Sequence, residues 1–279
     1  MFDEILACLD GSSLAEKILP LARGIAGARS GKLTLLRVVG DAAELVAEED
    51  YLRNYARQYA AELSFVIASD AAGAIAAELT SRPNAIAALT THGRSAWSEA
   101  ILGSVALRVL REAKRPLLLY CPSEKNHDAP KTIETVVVPL DGNDLSEKII
   151  PYAVKAAKSL SARLVLVQAL PTPSPLTKLS NQERADVNEA SYLHGKAAEI
   201  KKQYGTTPQW EVLHGIAADA ICRYVSVMPN TLLAMTTHAR GGLQRAFLGS
   251  VAATCLRHAG LPLLLYWPEE RLAPGIETV

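Results

Sequence analysis

The sequence predicts an α/β protein of two tandem doubly wound domains, each a parallel sheet with helices on both faces. Three observations predict it. First, the chain repeats itself: Thr90-Thr91-His92-Gly93-Arg94 leads, nine residues after Gly93, to Leu102-Gly103-Ser104-Val105-Ala106, and Thr236-Thr237-His238-Ala239-Arg240 leads at the same spacing to Leu248-Gly249-Ser250-Val251-Ala252. Repetition on this scale means two copies of one unit. Second, short apolar runs alternate with longer helical stretches, the pattern of βαβ winding. Third, 49% of the 279 residues are hydrophobic, yet no run approaches the eighteen or so apolar residues of a membrane span. Strands buried on both faces explain that excess.

Each copy opens with an apolar strand stopping at Asp-Gly, a turn signal: Ile5–Leu9 before Asp10-Gly11, and Val136–Leu140 before Asp141-Gly142. A helix follows. Ser13 with Glu16, and Asp144 with Glu147, have the cap-x-x-Glu spacing that satisfies free backbone N–H groups. Pro20 and Pro151 are expected to kink these helices, since proline removes one bond and crowds the preceding turn. Second strands are predicted at Lys32–Val38 and Arg163–Ala169, third strands near Leu63–Ala68 and Trp210–His214, and fourth strands at Ala85–Thr90 and Thr231–Thr236. Between the second and third strands runs a helix. Another follows the third strand and ends where Pro83 and Pro229 stop it. A last helix leads to closing strands at Leu117–Tyr120 and Leu263–Tyr266.

The copies are 131 residues apart at Asp10 and Asp141 but 146 apart at His92 and His238, so the second has gained fifteen residues. Three prolines between Pro171 and Pro175 place the gain in a surface loop near 171–185. The predicted division is a first domain at 1–122, a polar linker at 123–132, a second domain at 133–268 and a tail at 269–279.

Lysine and arginine total 29 against 29 acidic residues, with no basic tract, which argues against nucleic acid or an anionic membrane as partner. The four cysteines, Cys8, Cys121, Cys222 and Cys255, show no metal-ligand spacing, and Cys8 in an apolar strand and Cys255 in an apolar helix read as small buried hydrophobes. Met1-Phe2-Asp3-Glu4 enters a strand directly, so a cytoplasmic protein is expected.

In a doubly wound sheet, ligands sit outside the carboxyl ends of the strands where strand order reverses. Asp10 and Asp141 end first strands there, and the Thr-Thr-His loops leave fourth strands there. Gly103-Ser104 and Gly249-Ser250 open helices, where free N–H groups and the helix dipole favour an anion. The set offers a carboxylate for a ribose hydroxyl or adenine amine and a glycine-containing loop for phosphate. Each part alone has a plainer reading: a turn, an N-cap, or a loop histidine with no partner acid or nucleophile beside His92 or His238.

Leu-Asp-Gly-Ser, Ser-Glu-Lys-Ile-Leu-Pro, Thr-His-Gly-Arg, Gly-Ser-Val-Ala and Arg-Pro-Leu-Leu-Leu together resemble the universal stress protein family in its tandem form. The resemblance implies an adenine nucleotide α-hydrolase-like sheet of order 3-2-1-4-5 in each domain and a cytoplasmic role in stress survival. Members with Gly-x-x-Gly, nine residues, then Gly-Ser or Gly-Thr bind ATP, with magnesium as a companion ion. By that resemblance Asp10, Val38, His92, Gly93, Arg94, Gly103 and Ser104 form one nucleotide site. Asp141, His238, Arg240, Arg245, Gly249 and Ser250 form the other, with no catalytic residue and no resident metal in either.

Both copies depart from the pattern. Thr90 replaces the first glycine in copy one, and Thr236 and Ala239 replace both in copy two. If those glycines hold positive φ, the replacements are strained by about 1 kcal/mol or more. Glu99 in copy one repels phosphate, whereas Arg245 at the matching position attracts it.

Two functions follow as expectations: a regulator that binds an adenine nucleotide in one or both domains, or a protein of the same fold that works through its surfaces on protein clients. The second rests partly on Leu117–Leu119 and Leu263–Leu265, apolar edges that call for pairing. By resemblance they pair between domains, giving an internal pseudo-dimer and a route to a homodimer. An enzyme is disfavoured, because Asp10-Gly11-Ser12-Ser13 is not the Ser-Gly-Gly-x-Asp-Ser loop of the related hydrolases and ligases.

Overall fold

The computed structural model describes residues 3–28, 30–91, 102–122, 129–172, 182–237, 249–258 and 260–268, with only the backbone of 182–189, 250, 257 and 258. The first half runs β1 (Glu4–Leu9), a 3-10 turn (Ala15–Ile18), α1 (Leu19–Gly27), β2 (Lys32–Val39), α2 (Ala42–Tyr59), β3 (Glu62–Ile67), α3 (Ala71–Ser81), β4 (Ala85–Thr90), α4 (Ser104–Ala113) and β5 (Leu117–Tyr120). The second half repeats it: β6 (Thr135–Pro139), α5 (Asp144–Glu147), α6 (Ile150–Leu160), β7 (Arg163–Leu170), α7 (Gln182–Tyr204), β8 (Gln209–His214), α8 (Ala217–Ser226), β9 (Thr231–Thr236), α9 (Ser250–His258) and β10 (Leu263–Tyr266).

Among the described residues the ten strands form one sheet, ordered β3-β2-β1-β4-β5-β10-β9-β6-β7-β8. Each half is therefore a parallel sheet of order 3-2-1-4-5. The halves join where β5 and β10 pair antiparallel, Leu118 opposite Leu264. Over this join Ile25 of α1 and Ala156 and Leu160 of α6 close on Leu118 and Leu264, leaving a void of only about 20 Å³, too small to cost the join much.

Alternation along the strands divides the core between the two faces of the sheet. Leu33 and Leu35 of β2 belong with α1, α2, α6 and α7 on one face. Leu36 and Val38 belong with α3, α4, α8 and α9 on the other. The segment between the halves is more than a polar connection: Ala129 and Ile133 are buried. The Lys131 carbonyl crosses α1 so closely that a Cβ at Gly24 would lie 1.7 Å from its oxygen. Residues 123–128 of the expected linker lie outside the described residues.

Three local expectations are corrected. The caps shift by one residue: the Ser12 hydroxyl, not Ser13, accepts from Ala15 N at 3.2 Å, and Asn143, not Asp144, accepts from Leu145 N at 3.1 Å. Glu16 and Glu147 are thereby released from capping and bind the next long helix instead. Glu16 accepts from the hydroxyls of Tyr51 and Tyr55, and Glu147 from Tyr192 at 2.8 Å and from the Lys196 ammonium at 2.8 Å. Pro20 and Pro151 do not kink a continuous helix. They stand in the first turn of α1 and α6, each after a separate short turn, where a missing N–H costs nothing. Thr90 and Thr236 close β4 and β9, paired with Tyr120 and Tyr266, and neither has positive φ. A strand residue has no left-handed conformation to be strained by a Cβ. Ala239 lies outside the described residues.

The fifteen-residue gain is shared between loop and helix: α7 has 23 residues against 18 in α2. Residues 173–181 lie outside the described residues.

Candidate functional site

At the carboxyl ends of β1, β2 and β4 the first half opens a cleft of about 370 Å³. Asp10, Arg37, Val38, Thr90, Thr91, Gly103 and Ser104 line it, with apolar walls from Cys8, Leu36, Ile75 and Leu89. Its size and its mixture of apolar wall and few polar groups suit a small ligand.

Asp10 stands where β1 ends. Gly11 follows at φ +80°, a left-handed turn that glycine enters without steric cost. Asp10 Oδ1 accepts from Ser12 N at 3.0 Å and from Ser12 Oγ at 2.6 Å, so the turn itself pins the carboxylate at the cleft mouth. Asp141 repeats this, with Gly142 at φ +81° and Asn143 N donating to its Oδ1 at 3.0 Å.

Gly103 caps α4 with no side-chain hydrogen bond to that helix start. Its N–H donates to the Thr91 carbonyl at 2.7 Å, and Thr91 N–H donates to the Tyr120 carbonyl at 3.0 Å. A Cβ at 103 would meet the Thr91 oxygen at 2.9 Å. Glycine is thus needed here to seat the helix start against β4 and aim its first turn into the cleft. Among the described residues nothing lies within 4 Å of such a Cβ at Gly249, so they place no packing demand for glycine on the second half.

The expected site residues Asp10, Val38, Gly103 and Ser104 therefore meet in one cleft. In the second half Asp141 and Gly249 hold the equivalent strand end and helix start, while the Ser250 side chain lies outside the described residues. His92, Gly93, Arg94, His238, Arg240 and Arg245, with Glu99, also lie outside them. Among the described residues no three His, Cys, Asp or Glu side chains gather as a metal site.

Arg37 is a cleft residue that the motifs do not mark. It is 6% exposed and bound by two carboxylates of α2: Glu44 at 2.9 Å and Glu48 at 2.7 Å, while its Nη1 donates to the Val38 carbonyl at 2.8 Å. The hydrogen bond to Glu48 foremost raises its pKa, against the opposing effect of burial. The available signal was a charged residue in an otherwise apolar strand. The second half places Gln168 there, 8% exposed; among the described residues neither its Oε1 nor Thr237 Oγ1, one residue beyond β9, has a hydrogen-bond partner. Buried polar atoms normally find partners, so the two halves treat this strand end differently. Among the described residues the first neutralises a cation and the second keeps open acceptors.

A doubly wound 3-2-1-4-5 sheet with an Asp-Gly strand end facing a Gly-Ser helix start defines the adenine nucleotide α-hydrolase-like class, here present twice in one chain. Residues 132–266 match the universal stress protein family model, and the first half repeats the same strand order and motifs. The second half thus matches the universal stress protein family, and the chain as a whole is similar to that family in tandem form.

A universal stress protein of Methanocaldococcus jannaschii is 28% identical over 136 residues, covering 47% of this chain and 79% of the relative. A crystal structure of a universal stress protein from Archaeoglobus fulgidus superposes with TM-score 0.67 at 18% identity, covering 96% of this chain and all of that one. A functionally unknown protein from Pseudomonas aeruginosa gives 0.65 at 22% identity, covering 95% and 92%. At these identities the structural likeness speaks for the fold.

Proposed function

We propose that this chain is a cytoplasmic stress-response regulator that holds an adenine nucleotide in the first-half cleft and turns it over slowly or not at all. The observation carrying this reading is the convergence of Asp10, Val38, Gly103 and Ser104 on one cleft of about 370 Å³ at the strand ends. The pinned Asp10 carboxylate suits a ribose hydroxyl or base amine, the apolar wall suits a base, and the glycine-capped start of α4 suits phosphate. Thr90 weighs less against binding than its side chain implies, because it is an unstrained strand residue. Magnesium, if it accompanies the nucleotide, would rest on phosphate oxygens, with Asp10 the nearest protein carboxylate in the cleft lining.

The test is direct. Purified protein is denatured and the supernatant examined for adenine nucleotide, then thermal midpoints are measured against ATP with Mg²⁺. A dose-dependent rise that Asp10→Ala abolishes supports the reading. No released nucleotide and no shift at millimolar ATP would sink it and favour the same fold acting through its surfaces. Steady ADP release lost in Asp10→Ala would make the protein an enzyme instead.

A further inference from the structure

We propose that Cys222 and Cys255 form an oxidisable dithiol, a modification site at which peroxide closes a disulfide between α8 and α9. The two residues are 33 apart in sequence, on different helices, and their sulfurs lie 3.4 Å apart. A disulfide bond is about 2.05 Å long, so closure asks for a movement of about 1.4 Å across a helix contact that already exists. Both are free thiols, Cys222 half-buried and Cys255 buried.

The internal repeat supplies a control that argues against plain packing. The 146-residue offset that relates the copies at His92 and His238 maps Cys222 onto Ala76 and Cys255 onto Val109. Both counterparts, one on α3 and one on α4, are buried apolar residues. Those positions are therefore filled without sulfur. The second half places a thiol at each of them, with the two sulfurs facing each other, although burial alone asks for neither.

Their environments divide the labour. Cys222 reaches solvent and can meet a small oxidant, and the hydrogen bond with Cys255 lowers its pKa, against burial and Asp219. Cys255 is 3% exposed, its pKa raised by that same bond and by burial, so it reacts through its neighbour. In the first step the Cys222 thiolate attacks one peroxide oxygen. An S–O bond forms, the O–O bond breaks, and hydroxide leaves to take up a proton as water. Cys255 then loses its proton and its sulfur attacks Cys222. The S–S bond forms, the S–O bond breaks, and a second water leaves. Two thiols and one peroxide give one disulfide and two waters, with two electrons passing to peroxide. The bond would tie α8 to α9, the helix that starts at Gly249-Ser250.

The experiment uses the full chain, treated with hydrogen peroxide, alkylated under denaturing conditions, and read by intact mass and peptide mapping. The expected result is protection of two of the four thiols, a protein about 2 Da lighter before alkylation, and a Cys222–Cys255 linked peptide that dithiothreitol releases. Cys222→Ala and Cys255→Val install the residues that fill these positions in the first half, so they keep the packing. Each should abolish the linked peptide, and Cys255→Val should leave a sulfenic acid on Cys222 that dimedone traps. The proposal fails if all four thiols stay alkylatable at peroxide doses that consume free glutathione. It fails equally if the lost thiols map to Cys8, Cys121 or intermolecular links, or if Cys222→Ala is oxidised like the parent protein.

Discussion

Replacing Gly24 by alanine is expected to destabilise the protein, against the ordinary trend for helices. In a helix interior that change normally gains about 0.5–1 kcal/mol, because alanine loses less backbone freedom on folding. At Gly24 the new Cβ would sit 1.7 Å from the Lys131 oxygen and 2.7 Å from its carbonyl carbon. Ordinary carbon–oxygen contact is near 3.3 Å, so one side must retreat by about 1.5 Å. Both neighbours are backbone, and the segment that must move carries the buried Ala129 and Ile133. Overpacking of this kind costs about 1–3 kcal/mol, leaving a net loss of about 1–2 kcal/mol after the helix gain. Urea unfolding followed by circular dichroism reads this as a lower midpoint. Gly195→Ala in α7 is the control, since nothing lies within 4 Å of its Cβ; it should gain about 0.5–1 kcal/mol. If Gly24→Ala matched or exceeded the parent while Gly195→Ala was stabilised, the close crossing of α1 by residue 131 would be refuted.

Other substitutions test the site and its supports. Gly103→Ala should cost about 1–3 kcal/mol by pushing α4 off the Thr91 carbonyl, whereas Gly249→Ala should stay within about 0.5 kcal/mol; paired thermal melts decide this. Arg37→Ala should cost roughly 3 kcal/mol, because the largely buried Glu48 carboxylate loses its cation. The hydrogen bond to Glu16 foremost pushes the Tyr55 hydroxyl up to about 12. Its folded value lies above its unfolded one, so this stabilisation is complete below about pH 10 and fades as pH rises toward 12. Ultraviolet titration of Glu16→Gln should return one tyrosine to the ordinary range; an unchanged titration curve would contradict the tie between Glu16 and α2.

The sheet was legible in the sequence because its strands are almost wholly apolar and its turns are marked by Asp-Gly and proline. The strands Ala85–Thr90, Thr231–Thr236, Leu117–Tyr120 and Leu263–Tyr266 fall on the predicted residues. What failed was local and depended on geometry finer than spacing. Ser12 and Ser13 are equally good caps on paper, and only the left-handed Gly11 decides that Ser12 faces the helix start. Pro20 and Pro151 read as kinks until the short turn before each helix shows them opening it. Within the site, Asp10, Gly103 and Ser104 were visible because they sit in motifs. Arg37 was not, because its two carboxylates come from α2, and Cys222 with Cys255 were not, because helix packing alone brings them together.

The antiparallel join of β5 and β10 also governs how the two halves can communicate. Since the strands of one half point against those of the other, their carboxyl ends lie along opposite margins of the shared sheet. The first-half cleft and the second-half strand end at Asp141 therefore face away from each other. No small ligand held in that cleft can reach Asp141. The strand pairs that join the halves, Leu117–Leu265, Leu118–Leu264 and Leu119–Leu263, are apolar and offer no charge or hydrogen-bonding side chain to switch. The shared sheet thus turns the two sets of strand ends back to back, one along each margin.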